Sequence, residues 1–282
     1  VKLDDEGLIT SYRLYSSGIQ ILASVGEAYG TLFGTSYVRD ANGNVVVDAN
    51  GLPKISTTNK TLGKFTPDWT GGISNTFSYR SLSLSFLIDA SVGGSIFSNT
   101  NKTGKYTGVL ANTLSGRDAE HGGLWYYTAA MGNNVRLPES PSYSVSSDGL
   151  YYAQVNGQST RVYQDGIMVE GVTESGSKNE EVVSAEKYYH RIYSIAEANV
   201  YDASYVKLRE VALSYRLPRL WTQKLHLQEA SVTLTGRNLW TIYKSVPNID
   251  PESALTTGNA QGVEAYSLPT TRSFGVNLSV KF

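Results

Sequence analysis

Apolar and polar residues alternate in this sequence over runs long enough to leave few folds open. In residues 82–92 every second side chain is apolar, and these are Leu82, Leu84, Phe86, Ile88, Ala90 and Val92. A period of two places them on one face of a β-strand. Residues 73–79 alternate likewise, and only Arg80 and Ser81 separate the two runs, which predicts an antiparallel hairpin. Such strands are about twice the ~5–6 residues typical of soluble sheets and match the ~9–11 residues of a transmembrane β-strand.

The composition excludes several classes of site and favours an all-β fold. Lys plus Arg is 24 and Asp plus Glu is 25, a balance that argues against a nucleic-acid-binding protein. The absence of cysteine excludes disulfides, zinc–thiolate sites, iron–sulfur clusters and cysteine nucleophiles from this chain. With 20 Tyr and 27 Gly the chain suits strands and turns. Its mean hydropathy of −0.24 is compatible with membrane strands, because these turn every second residue to a polar lumen.

Further alternating runs raise the prediction to about seven antiparallel strands. They cover residues 205–215, 231–243 and 273–282, with weaker candidates at residues 18–25 and 29–38. In the last run the apolar side chains at steps of two are Phe274, Val276, Leu278, Val280 and Phe282. The alternation is disturbed near Val206, Leu208 and Arg209, and this disturbance predicts a β-bulge.

The connections between these runs are short and long in turn. Those near residues 26–28, 80–81 and 217–228 are short, whereas those at about 40–68, 100–200 and 244–270 are long. This arrangement is typical of an outer-membrane barrel, and a structureless segment of ~100 residues is uncommon in a compact soluble domain. The long loops are expected to face outside, and Trp69, Trp240 and Tyr243 are expected in the aromatic belts at the membrane interfaces. The side chains predicted to face lipid are Leu82, Leu84, Phe86, Ile88, Val276, Leu278 and Val280.

Five motifs follow one another along the chain. They are Gly26-Glu27-Ala28-Tyr29-Gly30; Asp202-Ala203-Ser204-Tyr205-Val206-Lys207-Leu208-Arg209-Glu210-Val211; Gly236-Arg237-Asn238-Leu239-Trp240; Ile249-Asp250-Pro251-Glu252; and Pro269-Thr270-Thr271-Arg272-Ser273-Phe274-Gly275. In this order they resemble the SusC/RagA family of TonB-dependent transporters of the Gram-negative outer membrane. The first motif departs from the family pattern, because Ala28 stands where the family has proline. The run that ends on Phe282 also resembles the C-terminal β-signal read by the barrel-assembly machinery, with Phe274, Val276, Leu278, Val280 and Phe282 as its candidate residues.

The resemblance implies an antiparallel transmembrane barrel of 22 strands around a plug, opened by TonB and covered by a SusD-like surface lipoprotein. Residues 1–282 are then expected to be the C-terminal portion of that barrel, with the plug domain, TonB box and N-terminal strands, and any signal peptide, outside this chain. Seven strands cannot close so wide a barrel, so two open sheet edges are expected. The implied function is import of a bulky nutrient, an oligosaccharide or peptide, across the outer membrane.

Little in the sequence indicates bond-breaking chemistry, a cofactor or a metal. His121, His190 and His226 lack metal-site spacing, and no nucleophile elbow or phosphate-binding loop occurs. A faint calcium-loop pattern from Asp40 to Asp48 fails at Val45 and Gly51. Paired carboxylates are not excluded by spacing, although nothing favours them. The chain is therefore predicted not to be an enzyme.

Aromatic residues of the long loops are the candidates for contact with a ligand or partner. They are Trp125, Tyr126, Tyr127, Tyr151, Tyr152, Tyr188 and Tyr189. Aromatic rings stack on sugars, and their polar tips donate hydrogen bonds. Three roles stay open for them: packing the loops together, contacting the lid lipoprotein, or contacting the ligand. Two other functions also stay open, a siderophore or cobalamin receptor on the same barrel and a soluble β-sandwich that binds glycans, and the sandwich alone would need no detergent.

Overall fold

A computed structural model describes residues 9–14, 18–23, 26–138, 141–254 and 261–282. The fold is all-β, with 47% strand and 13% helix, and its sheets are largely antiparallel. The strands are β1 (Ile9–Leu14), β2 (Ile19–Ala23), β3 (Thr31–Gly34), β4 (Lys60–Lys64), β5 (Trp69–Tyr79), β6 (Leu82–Val92), β7 (Ser95–Ser98), β8 (Leu124–Thr128), β9 (Asn134–Arg136), β10 (Tyr143–Val145), β11 (Tyr151–Val155), β12 (Gln158–Met168), β13 (Val182–Ser184), β14 (Val200–Asp202), β15 (Tyr205–Arg216), β16 (Glu229–Lys244), β17 (Val263–Glu264) and β18 (Ser273–Lys281). The helices are α1 (Asn99–Thr107), α2 (Ala185–Tyr193) and α3 (Arg219–Lys224).

The five longest strands predicted from the sequence form one antiparallel sheet with the order β18-β16-β15-β6-β5. Its strands are 9 to 16 residues long, well beyond the usual soluble length. The predicted hairpin is confirmed, because Tyr79 pairs with Leu82 and only Arg80 and Ser81 lie between them. Arg80 adopts a left-handed φ of 53°, which the tight turn requires. Within the described residues this five-stranded sheet is open and does not close into a barrel.

The two faces of this five-stranded sheet differ sharply in polarity. One row of paired residues crosses all five strands and consists of Phe77, Leu84, Leu213, Leu234 and Val276. The next row turns to the opposite face and consists of Ser78, Ser83, Ser214, Thr233 and Asn277. The apolar side chains are exposed, Val276 to 74% and Leu234 to 51%. We refer to these surfaces as the apolar face and the polar face.

A bulge interrupts β15 and β16 at the predicted place. The register of β15 shifts between Leu208 and Glu210 against both of its neighbours. Arg209 is the extra residue against β6, whereas against β16 the extra residue lies on β16, between Arg237 and Trp240. On β16, Asn238 takes up the distortion with a left-handed φ of 50°, a conformation that asparagine tolerates better than most residues. A Cβ at Gly236 would lie 2.8 Å from Leu239 Cδ2, so a larger residue there would displace the Leu239 side chain. The motif from Gly236 to Trp240 therefore encodes the bulge.

Residues 93–204 correct the expectation of a long structureless loop. They fold into an excursion that contains β7 to β14, α1 and α2, with its own small cores, one of which is formed by Trp125, Ala153 and Val162. Helix α1 begins where Ser98 Oγ accepts the backbone N–H of Asn101 (3.0 Å) and ends at the left-handed Gly108. We call residues 93–204 the excursion.

The weaker strand candidates near the start of the chain correspond to short strands in a separate sheet. The segments predicted at residues 18–25 and 29–38 contain β2 and β3, which pair in the order β1-β2-β3-β4. They are 5 and 4 residues long and so do not add sixth and seventh long strands to the five-stranded sheet. Ser24 and Val25 of the first predicted segment lie outside the described residues. Ile19 and Leu32 of this small sheet pack against Phe97 and Ala196 of the excursion.

Among the described residues, no helix has both the length and the apolar character needed to cross a membrane.

Candidate functional site

A network of charged side chains lies on the polar face, centred on Lys207. Its ammonium donates to Asp250 Oδ1 and to Glu252 Oε2, each at 2.5 Å. The Lys207 side chain is only 4% exposed and that of Asp250 9%. A buried ammonium is costly unless it is paired, so both carboxylates are needed to hold it there.

Arg209 extends the network across the bulge. Its guanidinium binds Asp89 of β6, with Nε 2.7 Å from Oδ1, and also pairs with Glu252. Tyr205 donates its hydroxyl to Glu252 Oε1 at 2.8 Å. Because Arg209 is the extra residue of β15, the bulge and the network are one structural unit.

Asp250 joins the network to the approach to the last strand. It accepts the hydroxyl and the backbone N–H of Thr270, at 2.5 and 3.2 Å. Burial alone would raise the pKa of this carboxyl, but its bonds to Lys207 and Thr270 outweigh burial and lower the pKa to about 2. Asp250 is therefore ionised at all physiological pH values and fixes the connection between β16 and β18 against β15.

This network connects three of the five motifs singled out in the sequence. Lys207 and Arg209 belong to the second motif, Asp250 and Glu252 to the fourth and Thr270 to the fifth. The motifs carry the resemblance in the sequence, but the pairing of their charges is seen only in the structure. The available signal was a pair of basic residues two positions apart, Lys207 and Arg209, and a pair of acidic residues with the same spacing, Asp250 and Glu252.

The three aromatic residues predicted for the membrane interface lie together at one end of the apolar face. Trp69, Trp240 and Tyr243 are 57%, 59% and 54% exposed. Their strand partners Val92, Leu208 and Val206 form the last rows of that face, beside the long connections. Tyr79 and Tyr215 lie at the opposite end, beside the short turns, and were not singled out from the sequence.

The loop aromatics lie inside the excursion, and several are used in its packing. Trp125 is buried and stacks on Tyr143 at 4.9 Å between ring centroids. Trp125 also meets Tyr151 edge to face, and Tyr127 packs on the same cluster. Tyr152 is half-buried on β11. These positions accord with the packing role, and contact with a ligand or partner stays a prediction for them.

The remaining three loop aromatics lie farther along the excursion. Tyr126 is buried and donates to Asp165 Oδ1 at 3.2 Å. Tyr189 is buried and donates to the carbonyl of Ser115 at 3.1 Å. Tyr188 and Tyr189 meet edge to face, and both line a cavity of about 810 Å³. Tyr188 and Tyr189 are therefore placed to contact a ligand inside this cavity.

The candidate assembly residues lie on the outer edge of the five-stranded sheet. β18 pairs with β16 on one side, and in the described part of the chain no strand pairs with its other side. Four of these residues are strongly exposed: Phe274, Val276, Leu278 and Phe282 at 80%, 74%, 64% and 81%. Val280 is 42% exposed. The apolar side chains therefore form a continuous strip along an open edge.

The structure gives no support to a metal site within its described residues. No group of three or more His, Cys, Asp or Glu side chains there could hold a metal ion. Asp40 Oδ1 accepts the backbone N–H groups of Asn42 and Asn44 at 2.9 and 2.8 Å, so the calcium-like segment is a turn stabilised by its own aspartate. His121 binds Asp118 at 2.7 Å, and His190 stacks on Tyr106 at 4.1 Å.

Comparison with known proteins supports the resemblance drawn from the motifs. The chain is 25% identical to TonB-dependent receptor P3 of Formosa agariphila over 286 aligned residues, which cover 99% of this chain and 22% of that receptor. The chain thus spans about a fifth of the length of this curated relative. The predicted resemblance to a TonB-dependent receptor is confirmed, and so is the prediction that the chain is not an enzyme.

Solved structures of a peptide importer are also similar to this chain. The RagAB importer in its closed-closed state matches 96% of this chain and 25% of its own, with 18% identity and a TM-score of 0.48. The open-open state matches 100% of this chain and 25% of its own, with 16% identity and a TM-score of 0.47. No protein-family model matches the chain.

Proposed function

We propose that this chain, which is similar to a TonB-dependent receptor over nearly its whole length, forms part of the wall and outer surface of a transporter in the Gram-negative outer membrane. In this proposal the five-stranded sheet belongs to the C-terminal portion of a 22-stranded barrel around a plug. The transporter imports a bulky nutrient, an oligosaccharide or peptide, together with a SusD-like lipoprotein and with energy from TonB. In this proposal the imported nutrient is either an oligosaccharide or a peptide.

The exposed apolar face is the observation that carries this proposal. Each strand of the hairpin β5–β6 has eleven residues, which extend over roughly 36 Å at ~3.3 Å per residue. At the 35–45° tilt of barrel strands, that length spans about 25–30 Å of membrane, close to the ~25 Å apolar band of outer-membrane barrels. Aromatic residues at both ends, Trp69 and Tyr79 among them, fit the two interfacial belts. A soluble β-sandwich would need to cover this face with a second sheet.

The opposite, polar face suits the wall of a water-filled lumen. Serine and threonine rows continue into the charged network of Lys207 and Asp250, which could not face lipid. The excursion and the loop after β16 leave the sheet at the end opposite the short turns, so we assign them to the cell exterior. There they would meet the SusD-like lipoprotein and the incoming nutrient.

The proposed function is tested by uptake in cells that lack TonB. The full-length receptor should support growth on its nutrient only when TonB is present, and it should co-purify with a surface lipoprotein. Growth on siderophore iron or cobalamin instead of a bulky nutrient would favour the related receptor class on the same barrel. Undiminished uptake without TonB would contradict the proposal.

β18 is proposed as the segment recognised during barrel assembly. Its apolar strip lies on an open edge, where a recognising protein can pair with it before the barrel closes. Changing Phe282 to Ser should lower the amount of receptor in the outer membrane, and more strongly than Phe274→Ser does. Both side chains are about 80% exposed, so neither change removes a packed core contact. Equal membrane levels of the wild type and Phe282→Ser would refute the role of Phe282.

A further inference from the structure

The cavity that Tyr188 and Tyr189 line, which we call the chamber, is built from two segments that the proposed topology places outside the cell. Its volume is about 810 Å³, and its wall includes residues of the 35–57 segment and of the excursion. Three tyrosines, Tyr37, Tyr188 and Tyr189, and the basic residue Lys105 line this wall. Clefts of ~300–1,000 Å³ with aromatic walls and a few placed polar groups are typical of small-molecule sites.

Lys105 is held in a fixed position but keeps one donor free for a ligand. Its ammonium donates to the carbonyl of Ala198 at 2.8 Å and to Asn199 Oδ1 at 3.2 Å. An ammonium has three donors, so the third is not used by these bonds. No carboxylate among the described residues forms an ion pair with Lys105, in contrast to the doubly paired Lys207.

The surroundings stabilise the charge of Lys105 only in part. It lies in the last turn of α1, near the carbonyl end of the helix dipole, and 5.2 Å from the centre of the Tyr201 ring. Burial nevertheless lowers the pKa of Lys105 to about 8. Lys105 is half-buried, and an ammonium that is partly desolvated and has no carboxylate partner is stabilised by an anion that binds beside it.

We propose that this chamber binds a carboxylate-bearing ligand, with the carboxylate on Lys105 and the body of the ligand against the rings of Tyr37 and Tyr188. Glu170 also lines the chamber, but its side chain is exposed, so water and salt screen its repulsion of an anion. A uronic-acid oligosaccharide and an acidic peptide both supply the required group. The inference rests on the proposed external position of the excursion, which places the chamber in the path of a nutrient.

Binding to the purified full-length receptor in detergent tests this inference. The probes are tetragalacturonate with neutral tetragalactose as its reference, and tetraglutamate peptide with tetraglutamine as its reference. At least one acidic probe should bind the wild type about 10-fold more tightly than its reference, the gain expected for one charge-assisted hydrogen bond. The pair that shows the preference identifies the source of the carboxylate.

Two substitutions of Lys105 distinguish the loss of its charge from a change in the structure of the chamber. Lys105→Met should abolish the preference for the acidic probe, and Lys105→Arg should retain most of it. Lys187→Met is the matched control, because Lys187 is exposed on α2 and does not line the chamber. No preference in the wild type, or an unchanged preference in Lys105→Met, overturns the inference.

A measurement on the unaltered protein guards against a variant that fails to fold. The preferred acidic probe should slow acetylation of Lys105 by N-hydroxysuccinimidyl acetate about 10-fold, read by mass spectrometry, and leave Lys187 unaffected. An unchanged rate at Lys105 overturns the inference. Since both experiments measure binding without transport, their failure is distinguishable from loss of TonB-dependent uptake.

Discussion

Replacing Leu234 with arginine is expected to keep the full-length receptor out of the outer membrane. Leu234 lies on the apolar face between Leu213 and Val276, one row in from the row of Tyr79 and Tyr215, and is 51% exposed. A charged residue on the lipid face of a barrel strand costs about 2–4 kcal/mol at the bilayer midplane and less toward the interfaces, so a cost of about 2 kcal/mol is expected at this position. That cost is a large part of the 5–15 kcal/mol by which proteins are typically stable.

Thr235→Arg is the matched control for this prediction. Thr235 is the next residue on the same strand, but it turns to the polar face opposite Ala212 and Gly275, where small neighbours leave room for arginine. We expect Thr235→Arg to reach the outer membrane at near wild-type amounts, measured by membrane fractionation and heat-modifiable mobility. Equal amounts of the two variants would show that the apolar face does not meet lipid.

Removing Asp250 is expected to destabilise the folded protein by about 3 kcal/mol, the lower end of the cost of breaking a buried pair. Lys207 would then keep one carboxylate, Glu252, for an ammonium that is 4% exposed. Urea unfolding of the receptor in lipid should give Asp250→Ala a free energy of unfolding about 3 kcal/mol lower than that of the wild type. The exposed pair of Lys54 and Glu174 offers a control, and Glu174→Ala should cost at most about 1 kcal/mol.

A second substitution identifies the buried charge as the cause. Adding Lys207→Met to Asp250→Ala removes the uncompensated ammonium, so the double variant should be more stable than Asp250→Ala alone. A double variant that is less stable than Asp250→Ala would refute this explanation.

The ion pair between Asp250 and Lys207 predicts that the stability of the folded protein depends on pH. The folded pKa of Asp250 is lowered to about 2, so its contribution is complete above the ordinary Asp value of ~3.9 and is lost as the pH falls toward 2.

The sequence predicted the five-stranded sheet well because its signal is local. Alternation over nine or more residues identifies both the strand and its face, and hairpins such as β5–β6 leave little choice of register. The bulge was predicted near Arg209 for the same reason, since an extra residue shifts the alternation. Its consequence, the ion pairs of Arg209 with Asp89 and Glu252, depends on residues 120 and 43 positions away and was not predicted.

The sequence predicts a loop where the excursion folds, because the elements of the excursion carry weak local signals. Seven of its eight strands have only three to five residues, and α1 is rich in Asn, Thr and Gly, which have low helix propensity. Contacts distant in sequence hold these elements: Thr100 in α1 donates its hydroxyl to Glu264 at 2.6 Å, across 164 residues. The chamber at Lys105 is assembled by the same long-range packing and has no local signature in the sequence.

Spin labels along β15 test most directly whether the apolar face lies against lipid. The chain has no cysteine, so single cysteines can be placed at Leu208, Ala212, Leu213 and Ser214 of the receptor in lipid bilayers. Labels at Leu208 and Leu213 should be relaxed by oxygen, which concentrates in lipid, and those at Ala212 and Ser214 by a water-soluble nickel reagent. The bulge at Arg209 requires an even-numbered position, 208, to behave like an odd-numbered one, 213. Labels at Leu208 and Leu213 that are shielded from oxygen, or that respond to nickel as Ser214 does, would contradict a lipid-facing sheet.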